Sequence, residues 1–230
     1  MAADIPGARS MWHLVRTFRD MWVDSSESSQ IRLQQDLARV DPWHYSTNDL
    51  QLVRHRGELA MLDRVRGVNR FTHVLELGCA EGIFTQHLAS RCDSLLAVDF
   101  NEVALGRARE RCQREENVQF ASIDLRTDPL PGVFDLVVAI HILEYLQNPI
   151  PLRRIREEII AAMTPGGYLL LGCVSFESPN EKAWWSRYLL RGGKQINSFF
   201  ARHSKLTLVD SAIHPLVECD SLDILLRRVQ

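Results

Sequence analysis

The sequence predicts an α/β protein in which helices cover both faces of a doubly wound, mostly parallel sheet of seven strands. From residue 71 onwards, short apolar runs alternate with segments of helical periodicity, which is the pattern of repeated βα units. The runs FDLVVAI and YLLLG are apolar at successive positions, as expected for parallel strands buried on both faces. The last two predicted strands lie close together in the chain, so an antiparallel hairpin should close the sheet.

Each predicted element follows from a local pattern. Strands are expected where short apolar runs are bounded by turn-forming residues, at 73–77, 95–99, 118–122, 134–140, 167–174, 206–213 and 220–229. Helices are expected where apolar residues recur at spacings of three and four, at 82–90, 101–113 and 149–163. Two prolines make the segment 126–129 a loop, and the letters TPGG at 164–167 indicate a turn into the fifth strand.

The residues before the predicted sheet read as helices joined by polar linkers. One apolar stripe runs through 8–22, a serine-capped helix is expected over 30–39, and an arginine-rich helix over 50–66. We therefore divide the chain into a helical N-terminal extension or lid, residues 1–66, and a ligand-binding domain, residues 67–230.

The segment 175–205 interrupts the alternation of strands and helices. Its aromatic residues are Trp184, Trp185, Tyr188, Phe199 and Phe200. The segment follows the predicted fifth strand, near the edge of the sheet where open α/β folds bind ligands. Two interpretations stay open, because the rings could pack a satellite helix or could also form the acceptor side of a binding site.

Composition excludes several classes of protein. The 230 residues are 46% hydrophobic and 24% charged, with a net charge of −2, so nucleic acid is not an expected partner. The apolar runs are too short for a membrane crossing, and the N-terminus does not resemble a secretion signal. The five cysteines show neither CxxC nor Cys/His metal spacing, which predicts reduced thiols, a cytoplasmic location and no metal site. Oligomeric state is not predicted.

A glycine turn marks the candidate site, in the stretch HVLELGCAEGIFTQHLA. Gly78 permits a tight turn, Cys79 and the small Ala80 let a ligand lie against the backbone, and Gly82 lets a helix begin close to the sheet. Glu76 precedes this turn, where a carboxylate would repel a pyrophosphate. A cationic ligand suits it better, so we expect S-adenosylmethionine, which carries an amino group and a sulfonium.

Acidic residues end the next two predicted strands. Asp99 is placed to accept hydrogen bonds from both ribose hydroxyls, although it could instead cap the following helix. Asp124 could accept a bond from the adenine amino group, with Leu125 donating its N–H, or it could be an ordinary loop residue. Phe100 is expected to cover one face of the adenine or to belong to the core.

These motifs together resemble those of class I S-adenosylmethionine-dependent methyltransferases. The segments concerned are VLELGCAEGIFTQHLA, AVDF, IDL, FDLVVAIHILEYL and MTPGGYLLLG. Within that superfamily, DPWHYSTNDLQLVRHR and VDFNEVALGRAR are similar to the nodulation protein S (NodS) branch, which N-methylates the amino sugar of a chito-oligosaccharide. The resemblance implies a Rossmann-like methyltransferase fold and a small-molecule acceptor. The chain departs from the branch at Leu50, usually Tyr, at His141, usually Glu, and at Glu144, usually aromatic.

Catalytic candidates follow the fourth predicted strand. His141 is the best-placed base, although it could merely bond the cofactor or the loop backbone. Glu144 is expected to orient the acceptor. We also expect contacts to the cofactor from residues on both sides of the site, namely Trp43, Arg54 and Ile140.

Two further functions stay open. The expected product of methyl transfer to nitrogen or oxygen is S-adenosylhomocysteine, but a protein that binds the cofactor as a sensor without turnover would have the same cofactor motifs. A nicotinamide-dependent oxidoreductase is less well matched, because the chain has neither a GxGxxG turn nor a Tyr-x-x-x-Lys pair.

Overall fold

The computed structural model describes residues 34–42, 48–67, 69–146, 149–175, 193–216 and 220–229. Its longer helices are α1 (Asp49–Arg66), α2 (Ile83–Ala89), α3 (Glu102–Arg111), α4 (Pro149–Ala162) and α5 (Gly193–Ala201). Its strands are β1 (Phe71–Leu77), β2 (Cys92–Asp99), β3 (Val118–Ser122), β4 (Phe134–Ile140), β5 (Met163–Ser175), β6 (Leu206–Pro215) and β7 (Asp220–Arg228). A short 3₁₀ turn covers Leu143–Tyr145.

The strands form one seven-stranded sheet in the order β3-β2-β1-β4-β5-β7-β6. The first five strands pair in parallel, and β7 pairs antiparallel with both β5 and β6. The chain reverses its direction of winding between β1 and β4, so the carboxyl ends of these strands flank the crevice where such sheets bind ligands. The predicted fold class, including the antiparallel C-terminal hairpin, is confirmed.

One boundary differs from the prediction in an informative way. The residues 164–167 were expected to form a turn, but β5 begins earlier, at Met163. Phe134 pairs with Met163 whereas Leu136 pairs with Tyr168, so the intervening residues of β5 bulge out of an otherwise continuous ladder. Glycine and proline therefore mark a bulge here rather than the end of the pairing.

Helix α1 belongs to the core of the sheet. Leu59, Met61 and Leu62 are buried in the same apolar cluster as residues of β1, β4, β5 and β7. The part of the predicted lid that α1 occupies therefore shares one core with the domain. The predicted stripe at 8–22 and most of the insertion at 175–205 lie outside the described residues.

Asp135 joins two central strands at the end opposite to the crevice. Its carboxylate accepts the backbone N–H groups of Thr72 and His73, at 2.7 and 2.9 Å. Satisfying two backbone donors fixes β1 against β4 at their amino ends, which is a structural role. Among the helices in the described ranges, none combines the length and the hydropathy that a membrane crossing needs.

Candidate cofactor and acceptor site

A cleft of about 810 Å³, its open mouth included, lies at the carboxyl ends of β1, β2 and β4. Its lining includes residues of the glycine turn after β1, of the start of the loop after β4, and of the segment 34–42. The predicted site residues in its lining are Arg54, Glu76, Gly78, Cys79, Ala80, Asp99, Phe100, Ile140 and His141.

The glycine turn follows β1 in a left-handed conformation. Gly78, Ala80 and Gly82 have φ angles of 71°, 45° and 74°. A Cβ at Gly82 would lie 3.0 Å from the Cβ of Ala108 on α3, so glycine brings the start of α2 against that helix rather than into the cleft. The left-handed Ala80 carries backbone strain, which is typical of binding sites.

Glu76 is a buried carboxylate at the base of the cleft, 4% exposed. Its Oε2 has no hydrogen-bond partner within the described part of the chain. Burial raises the pKa of Glu76 to about 7, an effect that the Thr85 hydroxyl opposes and the nearby Asp99 carboxylate reinforces. An unpartnered buried carboxylate is costly, so this atom is a place where a ligand donor or cation would be stabilised.

Asp99 ends β2 and faces the same cleft. Its Oδ2 accepts the backbone N–H of Ala80 and its Oδ1 that of Asn101, each at 2.9 Å. Burial raises the pKa of Asp99, and these backbone bonds oppose the rise. A carboxylate offers about four acceptor positions, so both oxygens keep capacity for a pair of ligand hydroxyls.

Arg54 is fully buried on α1 and also lines the cleft. Its Nη1 lies 2.5 Å from Glu58 Oε1, and its Nε donates to Gln51 Oε1 at 2.9 Å. Its Nη2 lies 2.8 Å from Nε2 of His55. The pKa of His55 is lowered to about 3 by burial and by the nearby Arg54 and His87. The guanidinium is thus a rigid positive charge held beside the cleft.

His141 follows β4 with a φ angle of 51°, which is uncommon for a residue with a side chain. Its backbone N–H donates to the carbonyl of Gly172 at 2.8 Å. Its Nε2 lies 2.7 Å from the Oγ of Ser221. Burial, together with the charge of Arg54 and the nearby His55, holds the pKa of His141 well below its usual value, so the ring is neutral near pH 7.

Glu144 lies outside the lining of the cleft. Its Oε1 accepts the backbone N–H of Val174 at 3.0 Å. Its Oε2 is buried without a hydrogen-bond partner among the described residues, and burial raises the pKa of the carboxyl to about 7. Tyr145, in the same 3₁₀ turn, does line the cleft.

Asp124 and Leu125 also lie outside the lining. Asp124 pairs with Arg126. Burial alone would raise the pKa of Asp124, but the bonds and the charge of Arg126 outweigh burial and lower this pKa. The Leu125 side chain packs in the core. The loop is nevertheless next to Asp99, whose carbonyl accepts the N–H of Ile123 at 3.0 Å.

The segment 34–42 covers one side of the cleft, to which it contributes Leu37, Asp41 and Pro42. It is tied to the glycine turn through Glu81, which accepts the N–H of Asp41 and pairs with Arg107 at 2.8 Å. Arg107 in turn donates to backbone carbonyls of the segment. Trp43, predicted to cover the site, lies outside the described residues.

Several lining residues were missed by the sequence reasoning. His55, Glu81 and Phe84 belong to the cleft. Glu81 sits inside the glycine motif, and its charge in an otherwise small-residue turn was the available signal. In the described ranges, no group of His, Cys, Asp or Glu side chains is arranged to hold a metal ion.

Comparison with known proteins now assigns the chain to a family. The model of the nodulation protein S (NodS) family matches residues 25–184, more than half of the chain. The chain belongs to the nodulation protein S family. A NodS protein of Sinorhizobium fredii is 30% identical over 140 residues, which are 61% of this chain and 63% of the relative. The match thus spans less than two thirds of that relative's length.

Solved structures agree with the NodS assignment. The crystal structure of the N-methyltransferase NodS from Bradyrhizobium japonicum WM9, in complex with S-adenosyl-L-homocysteine, superimposes with a TM-score of 0.77 at 26% identity. The alignment covers 89% of this chain and all of that one.

A second kind of methyltransferase is also similar in sequence. A ubiquinone biosynthesis O-methyltransferase of Methylococcus capsulatus is 34% identical over 101 residues, which are 40% of this chain and 39% of that protein. The chain therefore has the Rossmann-like fold of class I S-adenosylmethionine-dependent methyltransferases.

Proposed function

We propose that this protein is an S-adenosylmethionine-dependent methyltransferase that methylates an amino group of a small molecule, such as an amino sugar, in the cytoplasm. The observation that carries the proposal is the buried Oε2 of Glu76, which lines a cleft beside a glycine turn and has no partner in the described part of the chain. Membership of the NodS family and similarity to an N-methyltransferase in complex with S-adenosyl-L-homocysteine support it.

The residues of the cleft fit this cofactor. Glu76 offers an acceptor and a negative charge to the amino group, and Asp99 offers its two oxygens to the ribose hydroxyls. The Gly78 turn lets backbone approach the ligand, and the positive Arg54 suits the cofactor carboxylate. Further contacts are proposed from Cys79, Ala80, Phe100, Ile140, Trp43, Asp124 and Leu125.

Methyl transfer to an amine has three requirements that residues of the chain must meet. S-adenosylmethionine, when bound, supplies a methyl group that its sulfonium sulfur already activates. The chain has to hold the acceptor in line, exclude water and accept a proton, since a protonated amine has no lone pair. The segment 34–42 excludes water at one side, and neutral His141 accepts the proton. Glu144 accepts the backbone N–H of Val174 on β5, two residues beyond the Gly172 whose carbonyl accepts the His141 N–H.

Nitrogen is the favoured acceptor atom because the base is a weak one. Proton transfer to a neutral imidazole is uphill from an ammonium group and far more uphill from a sugar hydroxyl, because the hydroxyl is much the weaker acid. The environment of His141 makes it weaker still, since burial and Arg54 lower its pKa. The O-methyltransferase relative covers a smaller share of this chain than the NodS proteins do.

The test uses methyl-labelled S-adenosylmethionine and two matched chito-oligosaccharides. One has a free amino group at its terminal sugar, and the other is fully N-acetylated. We expect label to enter only the free amine, with equal formation of S-adenosyl-L-homocysteine. Label in both oligosaccharides would indicate oxygen as the acceptor atom. Tight cofactor binding without transfer to any amine or hydroxyl in a broad pool would contradict the proposal and favour a sensor.

A further inference from the structure

A line of hydrogen bonds runs from His141 to a buried carboxylate on β7. Nε2 of His141 lies 2.7 Å from Oγ of Ser221, and that Oγ lies 2.7 Å from Oδ1 of Asp223. Ser221 and Asp223 are fully buried. Residues two apart on a strand share one face, so β7 places both side chains on the face that meets His141.

With Asp223 ionised, the directions of these bonds select one tautomer of His141. An ionised carboxylate only accepts, so the Ser221 hydroxyl donates its one proton to Asp223. The same hydroxyl then has only lone pairs for His141, which must carry its proton on Nε2. Nδ1 keeps a lone pair, and no residue in the described ranges bonds to it.

Gly172 makes the line possible. It lies on β5 between the strand that leads to His141 and the strand that carries Asp223. Its carbonyl accepts the His141 N–H. A Cβ at Gly172 would lie 2.7 Å from Oδ1 of Asp223, so the missing side chain leaves the room that the carboxylate fills.

Several titratable and charged side chains surround the hydrogen-bonded line of His141, Ser221 and Asp223. The titratable and charged groups packed around the line include Arg54, His55 and Glu58 on α1, Cys173 on β5 and His214 on β6. His214 Nε2 lies 3.3 Å from Oδ2 of Asp223. Burial raises the pKa of Asp223, whereas Ser221, Arg54 and His214 oppose the rise. The net effect is a raised pKa, and the line requires that Asp223 be ionised at the pH of the reaction.

We propose that Ser221 and Asp223 are positioning residues that hold His141 as the Nε2–H tautomer and leave its Nδ1 lone pair for the substrate. The inference rests on the proposed function, because it assigns a base to that reaction. In the reaction an N–H bond of the acceptor ammonium breaks, and its proton forms a new bond to Nδ1. The freed nitrogen pair bonds to the methyl carbon, and the electrons of the broken carbon–sulfur bond stay on sulfur. The imidazolium, facing Asp223 through Ser221, then releases its proton to solvent.

The direct test is the tautomer itself. Long-range ¹H–¹⁵N spectra of ¹⁵N-histidine-labelled protein distinguish the two neutral tautomers, and the signal missing from His141→Ala identifies residue 141. We expect the Nε2–H form in the wild-type protein and a mixture of both forms in Ser221→Ala. Ser211→Ala, an exposed serine on β6, is the matched control and should leave the His141 signal unchanged.

Kinetics give a second readout. Ser221→Ala and Asp223→Asn should lower kcat about tenfold or more, with cofactor affinity near the wild-type value. In the His141→Ala background, Ser221→Ala should have no further effect on kcat, because it acts through His141.

The outcomes separate the two proposals. An unchanged tautomer in Ser221→Ala, or an equal loss of kcat with and without His141, would overturn the positioning role. A wild-type protein that transfers no methyl group but shows the expected tautomers would refute the proposed function and leave the positioning role standing. Melting temperature and cofactor affinity, measured for every variant, show that the fold is intact.

Discussion

The backbone N–H of Asp41 donates to both carboxylate oxygens of Glu81, each at 3.0 Å. This contact joins the segment 34–42 to the turn that lines the cleft, across 40 positions of sequence. Because Arg107 pairs with the same carboxylate and bonds backbone of the segment, it completes a latch. Closure over the cofactor would therefore depend in part on Arg107, which is not in the lining of the cleft.

The latch makes Arg107→Ala the first prediction. Loss of its hydrogen bonds should release the segment, so cofactor dissociation should be faster by about three- to tenfold. Stopped-flow dissociation measures this, and tryptic cleavage after the exposed Arg39 reports the loosening. Arg109→Ala on the exposed face of α3 is the matched control. Equal dissociation rates in the two variants would show that the latch does not hold the segment.

Asp99→Ala is expected to weaken cofactor affinity by about tenfold or more, because two charge-assisted bonds to the ribose are lost. Calorimetric titration measures the affinity. The control is Asp93→Ala, since Asp93 lies on the same strand but is exposed and pairs with Arg70 at the far end. An affinity equal to that of the control would remove Asp99 from the cofactor site.

Gly172→Ala should destabilise the fold by about 1–3 kcal/mol, since its Cβ would overlap Asp223 in a fully packed layer. The same change at Gly106 meets no atom within 4 Å in an exposed helix, and should raise the free energy of unfolding by about 0.5–1 kcal/mol. Urea unfolding of both variants gives the comparison. Equal stability changes would contradict the close approach of Gly172 and Asp223.

Glu76 should make the ligand-free protein less stable as the pH rises. Its pKa is about 7 in the folded state against an ordinary value of 4.5, so the folded state binds more protons between these values. The stabilisation from the protonated form is present below about pH 4.5 and is lost as the pH rises through 7, amounting to about 3 kcal/mol at most. In Glu76→Gln, urea unfolding at pH 5 and pH 8 should show a smaller fall. The exposed Glu116→Gln, as control, should keep the wild-type fall.

Much of the fold was predictable because local signals agree with the tertiary structure. The bounds of β3 and β4 match those expected, since each apolar run ends in turn-forming or polar residues. The acidic and glycine positions after β1 and β2 were also predictable, because parallel strands bring their carboxyl ends to one edge.

The polar partners of the site were not predictable in this way. Ser221 meets His141 across 80 positions of the chain, and only the insertion of β7 beside β5 brings them together. In the sequence, the alternating polar residues of β7 resemble the solvent-facing side of an edge strand. The tie from Asp41 to Glu81 likewise depends on how an N-terminal segment folds back, which no local pattern records.

We infer that the cleft binds S-adenosylmethionine through Glu76, whose Oε2 has no partner among the described residues. Titration calorimetry of the cofactor into wild-type protein and Glu76→Gln at pH 8 tests it most directly. Because a charge-assisted bond to the amino group would be lost, the variant should bind about 10- to 100-fold more weakly while staying folded. Equal affinities, or no binding to the wild-type protein, would contradict the claim.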